Sequence, residues 1–278
     1  MSHHGKLLLN FQRKNHRTRL IDCYQQSPLK ASRELYLDDK KEQATVYLME
    51  SSGGMVAGDR NEYDIHLKEH ADVCLIEQSA TKVYPSYNHR CSTQKISVQL
   101  EEGACLEWIP EAIIPYQDAR YQGDTVIRMK KGSTLLWGEI ISPGREKRDE
   151  CFLYNEFQSR FQIWVEGECL AYDPIQFYPD EMPLQQAGML EESLYIGTLW
   201  FVSPRVPSLD VQYIHDKLQD CNHTKASVTT LEGKGLQIRW LATDLWAMKE
   251  EMNTVCHRFR NVQEQTNIEM PSLGSDVI

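Results

Sequence analysis

Three stretches, Lys68–Leu75 (KEHADVCL), Glu101–Trp108 (EEGACLEW) and Lys130–Trp137 (KKGSTLLW), repeat one pattern and decide the fold class. Each begins with two charged residues, continues with a turn residue at position 70, 103 or 132 and a small residue, and ends in a largely apolar run. This pattern is typical of a tight turn that leads into a strand. Three copies predict layers that stack as in a solenoid, and unrelated hairpins of a β-sandwich are the alternative.

Similar strand patterns extend on both sides of these repeats. Short runs of β-branched and aromatic residues alternate with polar residues at a period near two, and turn residues close each run. The runs are Thr45–Met49, Tyr63–Leu67, Val73–Glu77, Lys95–Leu100, Thr125–Met129 and Thr134–Trp137. We therefore expect a mainly β fold, built as a layered β-helix-like stack of mixed strands with two C-terminal α-helices.

Helical periodicity is confined to the last third of the chain. Apolar residues at positions 211, 214 and 218 predict a helix near residues 208–219, with Ser208 as its N-cap. Apolar residues at positions 245, 248, 252, 255 and 259 predict a second helix near residues 243–259, with Thr243 as its N-cap. The chain should therefore end its β-stack with two helices.

Length and composition indicate one large domain. A chain of 278 residues can bury enough apolar surface to fold without a disulfide or a structural metal. We expect residues 1–264 to form a single β-rich domain that includes both helices, and the polar residues 265–278 to form a flexible tail. Eight cysteines without a C-x-x-C pair predict buried thiols in a reducing compartment.

Charge and hydropathy exclude two classes of partner. The formal net charge is −10, and the 30 basic residues are scattered, so we expect no binding to nucleic acid. No segment approaches the roughly 20 apolar residues of a membrane span, and the polar N-terminus lacks a signal-peptide core. We therefore predict a cytoplasmic protein that does not bind membranes.

The common catalytic motifs are missing from the sequence. It contains no G-x-S-x-G, phosphate-binding loop, H-E-x-x-H or dinucleotide-binding glycine pattern. His66 and His70 have the i, i+4 spacing of metal ligands on a helix, but the strand pattern places them across a turn, and His89 with Cys91 lacks a third ligand. We therefore predict that the protein is not an enzyme.

The segment Ser51–Asp59 (SSGGMVAGD) is the most unusual local feature. Gly53, Gly54 and Gly58 give its backbone freedom that other residues lack, which indicates a sharp turn or a close approach by another segment. A loop whose Asp59 caps its own turn is the plain structural interpretation. A role for Asp59 in binding an ion is the functional alternative.

Polar groups also follow a predicted strand. Thr81, Lys82 and Tyr84 come shortly after the run Val73–Glu77, and Pro85 then ends the strand pattern. They could belong to an ordinary strand end. The alternative is that a hydroxyl, an ammonium and a phenol line a water-filled cavity.

Two carboxylates lie within apolar surroundings. Glu139 follows Leu135–Gly138, and Asp173 follows Cys169–Tyr172. An unpaired buried charge is costly, so each carboxylate must find a basic partner, take up a proton, face water or bind a cation. Pairing with Arg145 or Lys82 is the simplest of these outcomes.

In their order along the chain, these segments resemble the UreD (UreH) family of urease accessory proteins. The resemblance covers roughly residues 5–260. Ala57 stands where the family more often has glycine, and Asp149 stands where a glycine commonly precedes the glutamate. The matching motif positions, which we expect to be structural, are Gly53, Gly54, Gly58, Tyr84, Trp108, Pro110, Gly144 and Arg145.

The resemblance implies a function as well as a fold. Members of this family bind UreF, which recruits the GTPase UreG, and the assembly docks on apo-urease so that nickel enters its active site. The family also implies an internal tunnel for nickel. The matching tunnel positions in this sequence are Asp59, Thr81, Lys82, Glu139 and Asp173.

The same resemblance sets expectations for metal binding. We expect no tightly bound cofactor, and nickel only in transit. Asp59, Glu139 and Asp173 would be transient metal ligands, because carboxylates hold nickel less tightly than imidazole or thiolate does.

Two other functional classes are compatible with the residues alone. In a β-helix enzyme that acts on carbohydrate, Asp59, Glu139 and Asp173 would serve as acid, base or calcium ligands. In a metal-free β-rich adaptor, the same carboxylates would have structural roles only.

Overall fold

The structure is a computed structural model that describes residues 2–37, 42–109, 111–218 and 223–264. The motif residue Pro110 and the predicted tail at 265–278 lie outside these residues. Strands and helices are numbered below in chain order.

Two large sheets form the β-stack. The first sheet contains β1 (His4–Lys14), β2 (Arg17–Gln26), β5 (Arg60–Leu67), β8 (Ser92–Leu100), β11 (Arg120–Met129), β15 (Glu156–Val165) and β16 (Glu168–Phe177). The second contains β3 (Leu29–Ala31), β4 (Ala44–Glu50), β6 (Asp72–Glu77), β9 (Cys105–Ile109), β12 (Thr134–Ile141), β17 (Tyr195–Val202), β18 (Thr224–Leu231) and β19 (Gly235–Ala242). Shorter strands are β7 (Thr81–Val83), β10 (Ile113–Pro115), β13 (Gly144–Arg145) and β14 (Glu150–Cys151).

The central strands of both sheets are parallel, because the chain alternates between the sheets and advances by one strand in each turn. Strands β1, β5, β8, β11 and β15 pair in parallel in the first sheet, and β4, β6, β9 and β12 do so in the second. Antiparallel strands close both ends of each sheet. The predicted layered stack of mixed strands is confirmed.

The repeated turns that predicted this stack lie on top of one another. His70, Gly103 and Gly132 all have positive φ, as a tight left-handed turn requires. The His70 N–H donates to the Glu102 carbonyl at 3.0 Å, which joins one layer to the next. A Cβ atom at Gly103 would lie 2.4 Å from Nδ1 of His70, so the stacked turns leave no room for a side chain there.

The interior between the sheets contains two apolar clusters. The larger includes Trp108, Trp137 and Phe161. The other, toward the short strands β7 and β10, includes Tyr121 and Phe157. A layer of polar side chains lies between the two clusters and forms the site described below.

A third apolar cluster holds the two helices, α1 (Val211–Leu218) and α2 (Leu245–Glu264), against the outer face of the second sheet. Strand β17 is buried on both faces, because Trp200 points into the stack and Phe201 contacts Phe259 of α2 with ring centroids 4.3 Å apart. Both predicted helices are present, and α2 continues to Glu264, beyond its predicted end at 259.

The predicted N-caps were wrong by one or two residues. Ser208 belongs to a preceding 3₁₀ turn, and the Asp210 carboxylate accepts the Tyr213 N–H at 2.9 Å instead. At α2 the Asp244 carboxylate accepts the Ala247 N–H at 2.8 Å. In both cases the helix begins directly after the aspartate, so the aspartate occupies the N-cap position and its carboxylate reaches the first N–H groups.

The cysteine prediction holds only in part. The seven cysteines in the described ranges form no disulfide with one another, but only Cys256 among them is buried, and Cys23 and Cys169 are exposed. Alternation along β2 and β16 places the latter two outside the core. Among the described residues no helix is both long and apolar enough to cross a membrane.

Candidate functional site: a polar cavity inside the β-stack

The glycine segment and the Thr81–Tyr84 segment pack against each other. The Met55 N–H donates to the Lys82 carbonyl at 2.8 Å, and the Tyr84 N–H donates to the Met55 carbonyl at 2.8 Å. Gly54 has φ +145°, and a Cβ atom there would lie 2.8 Å from the Lys82 carbonyl oxygen. The close approach that the glycines indicated is therefore an approach by β7.

Asp59 ends the glycine segment as a buried turn cap. Its Oδ1 accepts the His3 N–H at 2.6 Å, and its Oδ2 accepts the Val56 N–H at 2.9 Å. Both carboxylate oxygens therefore bind backbone groups, one in the loop and one in the residue that precedes the first strand. Asp59 lies outside the internal cavity described below.

The Gly144–Arg145 motif forms a separate cluster near the surface. Arg145 Nε donates to Glu150 Oε2 at 2.6 Å, and its guanidinium lies 4.3 Å from the ring centroid of Tyr116. The Tyr116 ring in turn meets Tyr84 edge to face at 5.1 Å. Pairing with Glu150 raises the pKa of Arg145 and lowers the pKa of Glu150.

A small polar cavity of about 30 Å³ lies between the two apolar clusters of the stack. Trp108 and Trp137 form its wall on one side, and Ile113 and Tyr121 form it on the other. The volume is enough for about two water molecules. The polar side chains that line it belong to Glu77, Thr81, Gln94, Tyr121, Thr125, Glu139 and Ser159.

Glu139 connects the two sheets across this cavity. The Ser159 hydroxyl, on the first sheet, donates to Glu139 Oε1 at 2.7 Å. Burial raises the pKa of Glu139, the Ser159 hydrogen bond opposes that shift, and the nearby charge of Asp173 adds to it. Glu139 is therefore a buried carboxyl whose proton is held more firmly than usual.

Asp173 lies at the edge of the same polar layer. Its Oδ2 pairs with the guanidinium of Arg239 and also accepts the Gln237 amide N–H at 3.3 Å. The expectation that Arg145 or Lys82 would pair with Glu139 or Asp173 was therefore wrong. Arg145 is held by Glu150, and β19 runs beside β17, which brings Arg239 next to the polar layer.

Glu77 is the only acidic residue among the described cavity-lining residues that the sequence analysis missed. Its Oε2 accepts the Glu111 N–H at 3.2 Å. Burial raises the pKa of Glu77 from an ordinary 4.5 to about 7, and that hydrogen bond opposes the shift. The Trp108 indole N–H lies close enough to lower this pKa but makes no hydrogen bond of normal geometry, so it can donate to a molecule in the cavity.

Alternation along β6 could have revealed Glu77. Val73 and Leu75 point into the core, and a period of two places Glu77 next in the same inward series. Glu139 follows Leu135 and Trp137 in the same way along β12. Both carboxyls are therefore inward residues at the ends of apolar series.

The structure brings only some of the predicted tunnel residues together. Thr81 and Glu139 line the cavity, and the charge of Asp173 is close enough to raise the pKa of Glu139. Lys82 and Asp59 are not part of the cavity lining. Within the described ranges, no three His, Cys, Asp or Glu side chains converge into a closed metal site.

Comparison with known proteins identifies the family. A family described as "UreD urease accessory protein" matches residues 3–273 of this chain. The chain belongs to the UreD family. The resemblance drawn from the motif order is therefore confirmed, and the protein is a urease accessory protein that acts in urease maturation.

Individual UreD proteins align along almost the whole chain. A protein from Sporosarcina pasteurii, named "Urease accessory protein UreD", is 48% identical over 254 residues, which are 91% of this chain and 99% of that protein. A protein of the same name from Lysinibacillus sphaericus is also 48% identical, over 91% of this chain and 94% of that protein. One from Halalkalibacterium halodurans is 34% identical over 92% and 94%, respectively. These UreD relatives are named as accessory proteins and not as enzymes, which is consistent with a non-catalytic role.

Proposed function

We propose that this UreD-family protein is a cytoplasmic maturation scaffold that holds nickel in transit inside its β-stack. In this proposal it binds UreF, through UreF the GTPase UreG, and apo-urease, and nickel passes through the polar layer on its way to the urease active site. The buried cavity that contains Glu77 and Glu139 is the observation that carries the proposal.

The chemistry of the cavity suits a cation that must move on. Carboxylate, hydroxyl and amide oxygens line it, from Glu77, Glu139, Thr81, Ser159 and Gln94. Such hard donors bind nickel more weakly than imidazole or thiolate does. A set of this kind can replace part of the hydration shell of the ion without trapping it.

The protonation of Glu77 gives the cavity a way to balance charge. With a pKa of about 7, Glu77 exchanges its proton readily near neutral pH. A buried carboxylate without a counter-charge is costly, and an entering cation supplies that counter-charge. Loss of the Glu77 proton and entry of a cation are therefore coupled in this proposal.

The size of the cavity sets a further condition. A volume of about 30 Å³ holds about two water molecules, whereas a fully hydrated divalent ion carries six. Nickel can therefore enter only after it exchanges most of its waters for protein oxygens, or after the walls move apart.

Co-expression tests this function. The urease subunits are expressed with UreE, UreF and UreG, with and without this chain, and both urease activity and nickel per active site are measured. We expect both to rise only when the chain is present. Equal activation without the chain would refute the scaffold function.

Substitution of Glu139 separates nickel transit from a metal-free adaptor. Glu139→Gln keeps the shape of the side chain and removes its charge. Asp124→Asn is the control, because Asp124 lies on the outside of β11 and pairs with Arg160 at 2.9 Å. We expect Glu139→Gln to lower nickel content while the variant still copurifies with its partners. Unchanged nickel content would favour the adaptor.

A further inference from the structure

A second feature, far along the chain from the cavity residues, is a groove between α1 and α2. Its volume is about 660 Å³. Ile214 and Leu218 of α1 and Val255 of α2 form its apolar floor. Met248 and Met252 of α2 pack on the second sheet, and the three floor residues belong to the same apolar cluster, so the groove runs along the rim of the core between the two helices.

The dimensions of the groove fit one more helix. Its lining on α2 runs from Ala247 to Arg258, which is three turns, or about 17 Å, of helix. A partner helix laid along it would present apolar residues at positions i, i+3 or i+4, and i+7 over the same length. An extended peptide would pair with the edge of a strand instead, and none of the described residues that line the groove belongs to a strand.

The groove carries the residue types that dominate protein interfaces. Tyr213, which lines the groove, is 42% exposed, and Trp246, which lies outside the lining one turn before Glu250 on α2, is 72% exposed. The Arg258 guanidinium lies 4.1 Å from the ring centroid of Tyr213. Tyrosine, tryptophan and arginine are the residues most enriched among those that contribute strongly to binding.

The charges of the groove are polarised along its length. Lys217 and Arg258 both lie over the ring of Tyr213 and form a positive end. Glu251 accepts hydrogen bonds from Thr224 at 2.5 Å and Trp240 at 3.0 Å, so its charge is directed into the protein. The exposed Glu250 also lines the groove, so only the end at Lys217 and Arg258 is positive, and carboxylates of a ligand are favoured at that end.

We propose that the groove between α1 and α2 binds an amphipathic helix of a partner protein. The apolar face of that helix lies on Ile214, Leu218 and Val255, and its carboxylates lie over Lys217 and Arg258. This surface is distinct from the cavity and does not depend on nickel transit.

Photo-crosslinking tests which molecule occupies the groove. A photo-reactive amino acid replaces Thr254, which lines the groove, or Asn253, the exposed neighbour that does not. The full chain is co-expressed with the urease subunits and the other urease accessory proteins, and the complex is irradiated. We expect a crosslink from position 254 to an acidic helix of one of these proteins, at least tenfold stronger than from position 253.

Charge reversal tests the orientation of the helix. We expect Arg258→Glu and Lys217→Glu each to weaken binding of the crosslinked partner by roughly tenfold or more. Arg128→Glu, on the exposed outer face of β11, makes the same charge change and should have no effect. A glutamate-to-arginine change in the partner helix should restore binding to Arg258→Glu. Circular dichroism melting checks that each variant is folded.

Several outcomes would overturn the proposal. A crosslink from position 254 to the C-terminal segment of the same chain, or to a second copy of it, would mean that another occupant fills the groove. A stable complex with no crosslink at position 254 would remove the groove as a docking site while leaving the scaffold function intact. Failure to bind any of the co-expressed proteins would contradict both proposals.

Discussion

Replacing Glu77 by glutamine should remove a pH dependence from the stability of this protein. The pKa of Glu77 is about 7 in the folded protein and close to 4.5 in the unfolded chain. Because the folded state holds the proton more firmly, protonated Glu77 contributes stability that is fully present below pH 4.5 and is lost as the pH rises through 7. The glutamine side chain has the same shape and does not titrate.

The size of the effect follows from the pKa difference. Each pKa unit corresponds to about 1.4 kcal/mol, so ionisation of Glu77 should lower the free energy of unfolding by about 3 kcal/mol between pH 4.5 and a pH well above 7. For a chain of this length that is a shift of roughly 6 °C or more in Tm. Glu139, whose pKa is also raised by burial, adds to the effect in the same direction.

Urea unfolding at pH 5, 6, 7 and 8 measures this effect for the wild-type protein, Glu77→Gln and the control Asp124→Asn. Subtracting the wild-type free energy of unfolding from that of each variant at every pH removes the contribution of groups that titrate alike in both proteins. We expect the glutamine variant to gain about 2.5 kcal/mol of stability over wild type between pH 5 and pH 8, and the control to run parallel to wild type. Parallel curves for Glu77→Gln would show that Glu77 titrates normally, and the argument for a buried carboxyl would fail.

The same experiment with nickel links stability to function. A cation that binds ionised Glu77 replaces the missing counter-charge, so added nickel should stabilise the wild-type protein more at pH 8 than at pH 5. At pH 8 the gain should be smaller for Glu77→Gln than for wild type, and at pH 5, where Glu77 is protonated, the two proteins should differ little. Equal stabilisation of both proteins by nickel would place the ion elsewhere.

Three further predictions concern the fold and are measured by urea unfolding. Gly54→Ala should cost about 3 kcal/mol or more, because its Cβ atom would meet the Lys82 carbonyl, whereas Gly53→Ala, with open space around it, should cost about 1 kcal/mol. Asp59→Ala should cost about 3 kcal/mol, since it leaves two backbone N–H groups without their charged acceptor. Asp244→Ala should cost about 1 kcal/mol and Thr243→Ala less than about 0.5 kcal/mol, which would confirm the observed N-cap.

Local sequence signals were sufficient to predict the β-stack. The turn residues at 70, 103 and 132 take left-handed conformations as expected, and the strand runs lie where the period-two pattern predicted them. Strand signals are strong here because parallel, buried strands need apolar, β-branched residues. The N-caps were missed because two possible capping residues lie within two positions of each other before each helix, and the residue at which the backbone becomes helical decides which of them caps it.

The site was less predictable, because it depends on which strands become neighbours. The contact of Ser159 with Glu139 joins two sheets, and the pairing of Asp173 with Arg239 joins strands 66 residues apart. No local sequence pattern predicts a contact between strands that lie so far apart in the sequence. The inward series that ends in Glu77, by contrast, was visible in the sequence and would have added this residue to the candidates.

The polar layer is hard to explain by stability alone. The stack already has apolar clusters on both sides of the layer, with Trp108 and Trp137 in one and Tyr121 and Phe157 in the other. Filling the space between them with apolar side chains would join the clusters into one core, and replacing buried charged groups in this way is often neutral or stabilising. The protein instead keeps two carboxyls there with raised pKa values, and perturbed groups of this kind occur most often at functional sites. Titratable groups at both Glu77 and Glu139 fit the proposed passage of a cation better than a structural role alone.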